Sequence, residues 1–350
     1  MCLLSAVFAV VVVYVLYLFL SYHRIADAQE LTVRAPEDAS APLIAAGEVC
    51  SAMTYNVGFG AYTPEYSFFM DGGKYSWAFS RESVENTITG AAQLTKQYDP
   101  DLMLFQEVDL DATRSYHVDQ YELINQSYEG FYSVFAVNYD SAFLFYPFHQ
   151  PHGKNKSGLA MYSRYPVSTA LRRSLPVSDS LSKILDLDRC YSISRIPVSN
   201  GKELVLINIH MSAYGNGDEV REGQISTLLA DMEKEYAAGN YVICGGDFNH
   251  DLKAEESAEE VASWAYPFPR QRLGESFRFC MDTLPEEEKD ALWNSSRNAD
   301  IPYVEGVTYT LTLDGFIVSD NVECVRYENV KTGYRYADHE PVYMEFILKE

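Results

Sequence analysis

Residues 2–20 (CLLSAVFAVVVVYVLYLFL) form an unbroken apolar run with no charge and almost no polar side chain. As a helix rising about 1.5 Å per residue, such a run just spans the hydrocarbon core of a bilayer. The length predicts an uncleaved anchor. A secretory signal is the competing reading, since Ala26-Asp27-Ala28 offers a cleavage-like site. A signal usually has a basic leader and a shorter apolar stretch, of roughly 7–15 residues. Neither is present here. A buried core helix is a third reading. Tyr14, Tyr17 and Tyr22 suit an interfacial aromatic belt. His23 and Arg24, taken alone, favour a cytoplasmic C-terminus by the positive-inside rule.

Beyond this run the period changes. Residues 25–50 are polar, contain Ala and Pro, and read as a stalk leading into a first strand. From residue 51 to 350 short apolar segments recur, each ending in a polar residue: SAMTYNVGFG (51–60), DLMLFQEVD (101–109), SGLAMYSRYPV (157–167), ELVLINIHMS (203–212), YVICGGDFNH (241–250), TLDGFIVSD (312–320) and EPVYMEFIL (340–348). They are too short and too β-rich for helices, and read as buried strands of a two-sheet core. Between them, 81–98 places Val84, Ile88, Ala92 and Leu94 near one helical face. Residues 219–236 do the same with Ile225, Leu228, Leu229 and Met232. Residues 252–300, charged and aromatic with scattered Pro, predict loops and short helices over one rim. No internal repeat or low-complexity tract interrupts the chain.

Composition narrows the class. The chain has 350 residues, 47% of them hydrophobic, so a packed core is within reach and global disorder is excluded. Length alone suggests about two domains, although large α/β folds hold such a chain in one. The 27 Lys+Arg against 50 Asp+Glu leave a formal charge of −23. That argues against nonspecific nucleic-acid binding and against anionic lipid surfaces. The six scattered cysteines show no CxxC or Cys/His cluster, so nothing points to zinc or to a disulfide framework.

The polar residues at the strand ends carry the chemistry. Asn56, Glu107, His210, Asp247, Asn249, Asp314, Asp338 and His339 each follow or interrupt an apolar run. A carboxylate in the LMLFQE setting is costly to bury unless it is paired or metal-bound. Asp247 and Asn249 are two apart and point the same way in an extended segment. Gly245 and Gly246 before them permit a bend or a close approach. Gathered at one rim, these groups suit a hard, oxygen-loving cation such as Mg²⁺ or Mn²⁺ and an acid/base pair.

Taken in order, the segments resemble the endonuclease/exonuclease/phosphatase superfamily, which is DNase I-like. The motifs are TYNVG, LFQEVD, SGLAMYSRYP, INIHMS, GGDFN, LDGFIVS and ADHEPV, and the resemblance covers about residues 50–348. It implies an α/β fold, a four-layer α/β/β/α sandwich with two packed mixed β-sheets. It also implies a divalent-metal-dependent phosphoric ester hydrolase. By residue, it implies that Glu107, with Asn56, holds Mg²⁺ or Mn²⁺ directly or through water, and that Asp338 joins the metal site or supports it. Asp247 orients or deprotonates the attacking water, and Asn249 hydrogen-bonds the scissile phosphate. His339 contacts the phosphate and moves protons, with Asp314 fixing its tautomer. His210 contacts the phosphate from the other side and is a second candidate to protonate the leaving group.

The superfamily cuts many phosphoesters, so the fold does not name the substrate. DNA-cutting members usually carry a basic residue soon after the metal Glu. Here Asp109 and Asp111 follow Glu107, with Arg114 further on. The Trp-containing, Arg-rich variant of LDGFIVS found in inositol polyphosphate phosphatases is absent. The SGLAMYSRYP text matches sphingomyelinase-like members. Lys154, Lys156, Arg164, Arg172 and Arg173 stand out against the acidic background, and residues 149–156 (HQPHGKNK) are a candidate substrate clamp. The tract 132–148 is aromatic and reads either as core or as a lipid-facing or base-stacking lip. The expectation is a single-pass membrane protein with an extracytoplasmic catalytic domain, acting on a phospholipid head group or small phosphoester. An extracellular nuclease is the alternative, disfavoured by charge. A noncatalytic adhesion or scaffold domain is the third. No pattern bears on oligomeric state.

Overall fold

The computed structural model describes residues 2–21, 23–178, 187–213, 218–254 and 264–350. Two seven-stranded sheets face each other. In the first, strands Thr169–Ser174, Cys190–Pro197, Glu203–His210, Tyr241–Asp247 and Asp314–Ser319 lie side by side, with Gln29–Glu30 and Phe277–Phe279 at the edges. In the second the order is Val322–Asn329, Val342–Leu348, Val49–Asn56, Leu102–Ala112, Asn155–Ser163, Tyr132–Asp140 and Val33–Arg34. Each sheet holds one parallel pair among antiparallel ones, so both are mixed.

The period of two within strands decides the layers. In the second sheet Ala52, Leu104, Met161 and Met344 point inward and pack with Leu206 and Phe316 of the first. Met53, Tyr55, Phe105 and Tyr162 point outward, onto Val84, Ile88, Ala92 and Ile124 of helices Arg81–Gln97 and Gln120–Ser127. Helix Asp218–Ala237 covers the first sheet with Ile225, Leu228, Leu229 and Met232, the face its sequence predicts. The result is the expected four-layer α/β/β/α sandwich. Helix Arg81–Gln97 starts at Ser80, whose Oγ accepts from Ser83 N–H at 3.0 Å, a cap worth about 1 kcal/mol. Of its predicted face, Leu94 alone is only partly buried, and Ala91 and Thr95 are buried instead.

A polar bolt joins the two sheets. Gln106 Nε2 donates to Asn208 Oδ1 at 2.7 Å, and Asn208 Nδ2 donates to the carbonyls of Phe105 (3.1 Å) and Ala160 (3.0 Å). Both side chains are fully buried.

The segment read as a stalk is laid along the domain as a strap. Gln29–Glu30 pairs with Leu171–Arg172, and Val33–Arg34 pairs with Ser133–Val134, so the chain caps one edge of each sheet in turn. Asp27 Oδ1 accepts from Ser174 N–H at 2.7 Å, and Ile44 is wholly buried. Unpaired strand edges need such cover. Two-residue strands are too short to show a period, which is why composition alone suggested a free linker. Helix Cys2–Ser21 stands apart, with none of its apolar window buried. That removes the core-helix reading and leaves anchor and signal. Tyr22 lies outside the described residues.

Candidate active site

Register builds the site. In the first sheet Asp247 pairs with His210 on one side and with Asp314 on the other, so three functional groups stand in one row across adjacent strands. Gly246 makes this packing possible. Its φ is +144°, and a Cβ there would meet the Ile209 carbonyl oxygen at 2.0 Å. In the second sheet Asn56 pairs with Gln106. The register of the 102–112 strand with its antiparallel neighbour then breaks between Phe105 and Val108. This bulge holds Glu107 at φ +56° and turns its carboxylate toward the gap between the sheets. Bulges and left-handed non-glycine residues concentrate at functional sites. Asn249, at φ +49°, is a second example.

All eight residues singled out by sequence come together. Asn56 Nδ2 donates to Asp247 Oδ2 (3.0 Å) and Glu107 Oε1 (3.3 Å). His210 Nε2 lies 3.4 Å from Asp247 Oδ2 and 3.9 Å from Glu107 Oε1. His339 Nε2 lies 3.8 Å from Asp247 Oδ2, and its Nδ1 is 2.7 Å from Asp314 Oδ2. Asn249 N–H donates to Asp247 Oδ1 at 2.9 Å, and its Nδ2 donates to the Met211 carbonyl at 2.9 Å, leaving one amide hydrogen for a ligand. A methyl on Gly58 would sit 3.0 Å from Asp338 Oδ1, which places that carboxylate on the opposite wall.

Burial and charge set the protonation states. Burial opposes a charge on His339, but Asp314 and Asp247 outweigh it and hold the imidazole well above the ordinary histidine value. Burial raises Asp247 to about 7, with Asp314 adding to the shift and His339 opposing it. Asp338 is also raised to about 7, by burial and by Glu107, against the pull of His339. Burial pushes His210 well below the ordinary value, with Arg189, His339 and Arg114 adding to the effect. A neutral His210 donates or accepts a hydrogen bond. Its one N–H is too weakly acidic to protonate a leaving group unless the ring first takes up a second proton, so the expectation that it serves as acid meets a physical obstacle.

The donor set suits a hard divalent cation. Burial raises both Asp338 and Asp247, with Glu107 adding to the first and Asp314 to the second, and a cation beside these carboxylates would relieve both. The tightest trio of potential ligands is Asp247, Asp314 and His339, with atoms within 4.8 Å. The His339 nitrogen nearest Asp314 is committed to its hydrogen bond, so Glu107 and Asp338 are the better ligands. Asn56, expected to hold the metal with Glu107 directly or through water, lies with its Nδ2 3.3 Å from the Glu107 carboxylate. Its oxygen accepts from Gly58 N–H at 3.0 Å, while its nitrogen orients Glu107 and Asp247.

Two further residues were not legible in sequence. Ser295 Oγ donates to Asp314 Oδ2 at 2.7 Å and accepts from the Leu313 and Asp314 N–H groups, both at 3.0 Å. Nothing around Ser295 in ALWNSSRNAD marks it. Arg114 folds back onto Asp109, with contacts of 2.8 and 3.1 Å, and stacks 3.9 Å over the Phe59 ring. Its charge faces Glu107 as well. A basic charge therefore does act on Glu107, although its own partner is Asp109.

The basic cluster does not assemble. Arg164 pairs with Asp99 and Asp101, at the end of the sheet away from the site. Arg172 is buried, bonding the carbonyls of Val137, Ala26 and Asp188, and Arg173 pairs with Asp27 and Asp231. His152, within the proposed clamp, is buried against the Ser76 carbonyl, and that burial lowers it to about 3. The aromatic tract divides. Tyr132–Asp140 is a strand with buried rings, whereas 141–148 is an exposed loop.

Comparison with known proteins agrees with this geometry. The sequence model of the Endonuclease/Exonuclease/phosphatase family matches residues 53–282. An endonuclease/exonuclease/phosphatase from Beutenbergia cavernae superposes with a TM-score of 0.60 at 15% identity, covering 86% of this chain and 72% of that one. The human Nocturnin catalytic domain, with bound sulfate anion, gives 0.55 at 17% identity, covering 85% and 94%. D. rerio TDP2, complexed with a single-strand DNA product, gives 0.55 at 14% identity, covering 85% and 99%. No curated protein sequence matches the chain.

Proposed function

The chain belongs to the endonuclease/exonuclease/phosphatase family and is a hydrolase of phosphoester bonds, and from that premise we propose that it cleaves a small or lipid-borne phosphoester at a membrane surface. The observation that carries the proposal is the hydrogen-bonded row His210–Asp247–Asp314 with His339 closing it at 2.7 Å, facing Glu107 across the gap. Nothing in the row is exposed enough for a chance surface cluster. Buried ionisable groups gathered in this way are the expected mark of a catalytic site.

Glu107 and Asp338 would hold Mg²⁺ or Mn²⁺, which when bound offsets charge on the phosphate oxygens. Asn56 fixes the Glu107 carboxylate from behind. Asp247, raised toward neutrality, is poised to take a proton from the attacking water near pH 7. His339, kept charged by Asp314, faces the equatorial oxygens and is the group with a proton to hand to the leaving oxygen. Asn249 directs its free amide hydrogen toward the phosphate. His210, neutral, steadies Asp247 through Nε2.

Two features support the choice of substrate. The formal charge of −23 disfavours a long polyanion. Helix Cys2–Ser21, long and apolar enough to span a bilayer, favours an anchored protein; the extracytoplasmic placement of its catalytic domain is proposed from the family resemblance. A nuclease is the second reading. The Arg114 charge acting on Glu107 favours it, as does the similarity to a TDP2 complexed with single-strand DNA product. The test is a panel of bis-p-nitrophenyl phosphate, sphingomyelin, inositol phosphates, plasmid and single-stranded DNA, each with Mg²⁺ or Mn²⁺. The proposal expects hydrolysis of a small or lipid ester, abolished in His339→Ala and Asn249→Ala. Inert wild-type protein across the panel would leave only a scaffold role. Plasmid nicking lost in the His339 variant would favour the nuclease.

A further inference from the structure

The segment 141–148 reads SAFLFYPF and holds no charged residue, although the chain around it is strongly acidic. It protrudes from the second sheet with Phe145, Tyr146 and Phe148 exposed, the last at 84%. Three exposed aromatic side chains in four residues are costly in water. The loop is nevertheless held in a defined shape. Leu144 and Gly153 exchange both backbone hydrogen bonds at 3.0 Å, and the Tyr146 and Pro147 carbonyls accept from His152 and Gln150.

Three further backbone groups of the loop find partners on the apolar helix. Tyr14 Oη donates to the Phe143 carbonyl at 3.1 Å and accepts from Phe145 N–H at 3.2 Å. Tyr17 Oη accepts from Phe143 N–H at 3.0 Å. The Tyr14 ring meets the Phe145 ring edge-on, with centroids 5.0 Å apart. A loop in water has no need of such partners, because water supplies them. A non-helical loop in lipid must have its polar backbone groups satisfied within the protein.

A run of packed rings also connects the loop to the site. Tyr62 packs against Gly58 beneath the Asp338 carboxylate. From Tyr62 the rings run through Phe68 (5.7 Å) and Phe69 (4.9 Å) to Tyr146 (5.9 Å). Met70, beside Phe69, is 66% exposed.

We propose that loop 141–148 dips into the acyl-chain boundary of a lipid bilayer beside helix Cys2–Ser21, so that the rim of the active site rests on the lipid surface. The occupant is a bilayer because the loop continues the surface of a helix whose own apolar window is unburied. The charge of −23 makes the preferred surface zwitterionic. This deepens the functional reading and rests on its membrane anchor. An ester borne by a surface lipid would then reach the site without leaving the bilayer.

The test uses the full chain in phosphatidylcholine nanodiscs doped with a phosphatidylcholine carrying a diazirine on its acyl chain. After irradiation, lipid adducts are mapped by mass spectrometry. The proposal expects adducts on helix 2–21 and on residues 145–148 within the tryptic peptide 115–154. Phe145→Ser with Phe148→Ser should cut loop labelling about tenfold or more. Helix labelling and turnover of soluble bis-p-nitrophenyl phosphate should not change. Phe145→Leu with Phe148→Leu should keep the loop labelling, which separates insertion from misfolding. Labelling of the helix without the loop overturns the proposal and leaves the anchor standing. Labelling of neither overturns both. Chain-to-chain adducts at the loop overturn it in favour of a second copy as the occupant. Loss of hydrolysis in wild type with loop labelling intact would sink the catalytic reading alone.

Discussion

Replacing Asp314 by Asn isolates the electrostatic part of the proposed mechanism. The side chain is fully buried, and its Oδ2 lies 2.7 Å from His339 Nδ1. Asn keeps the shape and an acceptor for both His339 and Ser295 but removes the charge. Two unit charges about 4 Å apart at an effective dielectric near 20 interact by about 4 kcal/mol. That corresponds to a shift of about 3 pKa units. Asp247 remains, with Oδ2 3.8 Å from His339 Nε2, and retains part of the field. Burial, already the largest single influence on the imidazole, is then opposed mainly by Asp247. His339 should therefore fall by on the order of 3 units and lose its charge at a correspondingly lower pH than in the wild type. If His339 supplies the proton to the leaving oxygen, kcat/KM at pH 8 should drop by about 10²- to 10³-fold. The alkaline limb of the pH–rate profile should move toward acid, with activity recovering as pH falls. Bis-p-nitrophenyl phosphate turnover from pH 5 to 9, with an NMR titration of the His339 ring, reads both. A profile that drops without moving, or a His339 pKa within half a unit of wild type, would refute the argument.

The remaining predictions concern stability and metal. Asp247 and Asp338 have folded values raised to about 7 from 3.8, so the folded chain keeps protons that the unfolded chain releases. That stabilisation is full below about pH 4 and is lost as pH rises through about 7; His339, also raised, acts in the same direction. His210 and His152, lowered by burial, act in the opposite direction below about pH 6.5, so metal-free protein in EDTA should melt lower at pH 8 than at pH 6.5, and Mg²⁺ should raise the melting temperature more at pH 8; a flat or rising EDTA series over that window would contradict this. Gly246→Ala forces a Cβ to 2.0 Å from the Ile209 carbonyl, and it should cost about 3 kcal/mol or more in urea unfolding and lower turnover by displacing Asp247. Arg114→Met leaves Asp109 buried without its partner; a loss of about 3–5 kcal/mol is expected, and an effect under 1 kcal/mol would show that Asp109 takes up a proton instead.

Seven of the strands, the two long helices and the eight polar residues that the fold gathers were legible because each rests on a local rule. Seven strand segments advertised themselves by apolar runs, and the functional residues by standing polar at their ends. The apolar helix was legible for the same reason, since twenty residues without charge need no tertiary information to be recognised. Strands Cys190–Pro197 and Val322–Asn329 did not declare themselves, because their polar and apolar residues are mixed by sheet neighbours distant in the chain.

Relations between segments were not legible. Whether residues 25–50 hang free or strap the sheets depends on two unpaired edges more than 90 residues away. Arg114 folds back onto Asp109, five residues earlier, across a stretch whose register with the neighbouring strand is irregular. His210 is neutral and His339 charged, although each is a histidine near carboxylates. What separates them is that His339 makes a 2.7 Å bond to Asp314, while His210 Nδ1 is buried without a partner. The aromatic tract could not be divided into core and lip until the sheet had taken Tyr132–Asp140 and left 141–148 beside the apolar helix. Residue type and spacing carry the inventory of a site, because those depend on near neighbours. Protonation, reach and exposure depend on what the fold brings within a few ångströms, and that was decided only when the two sheets closed.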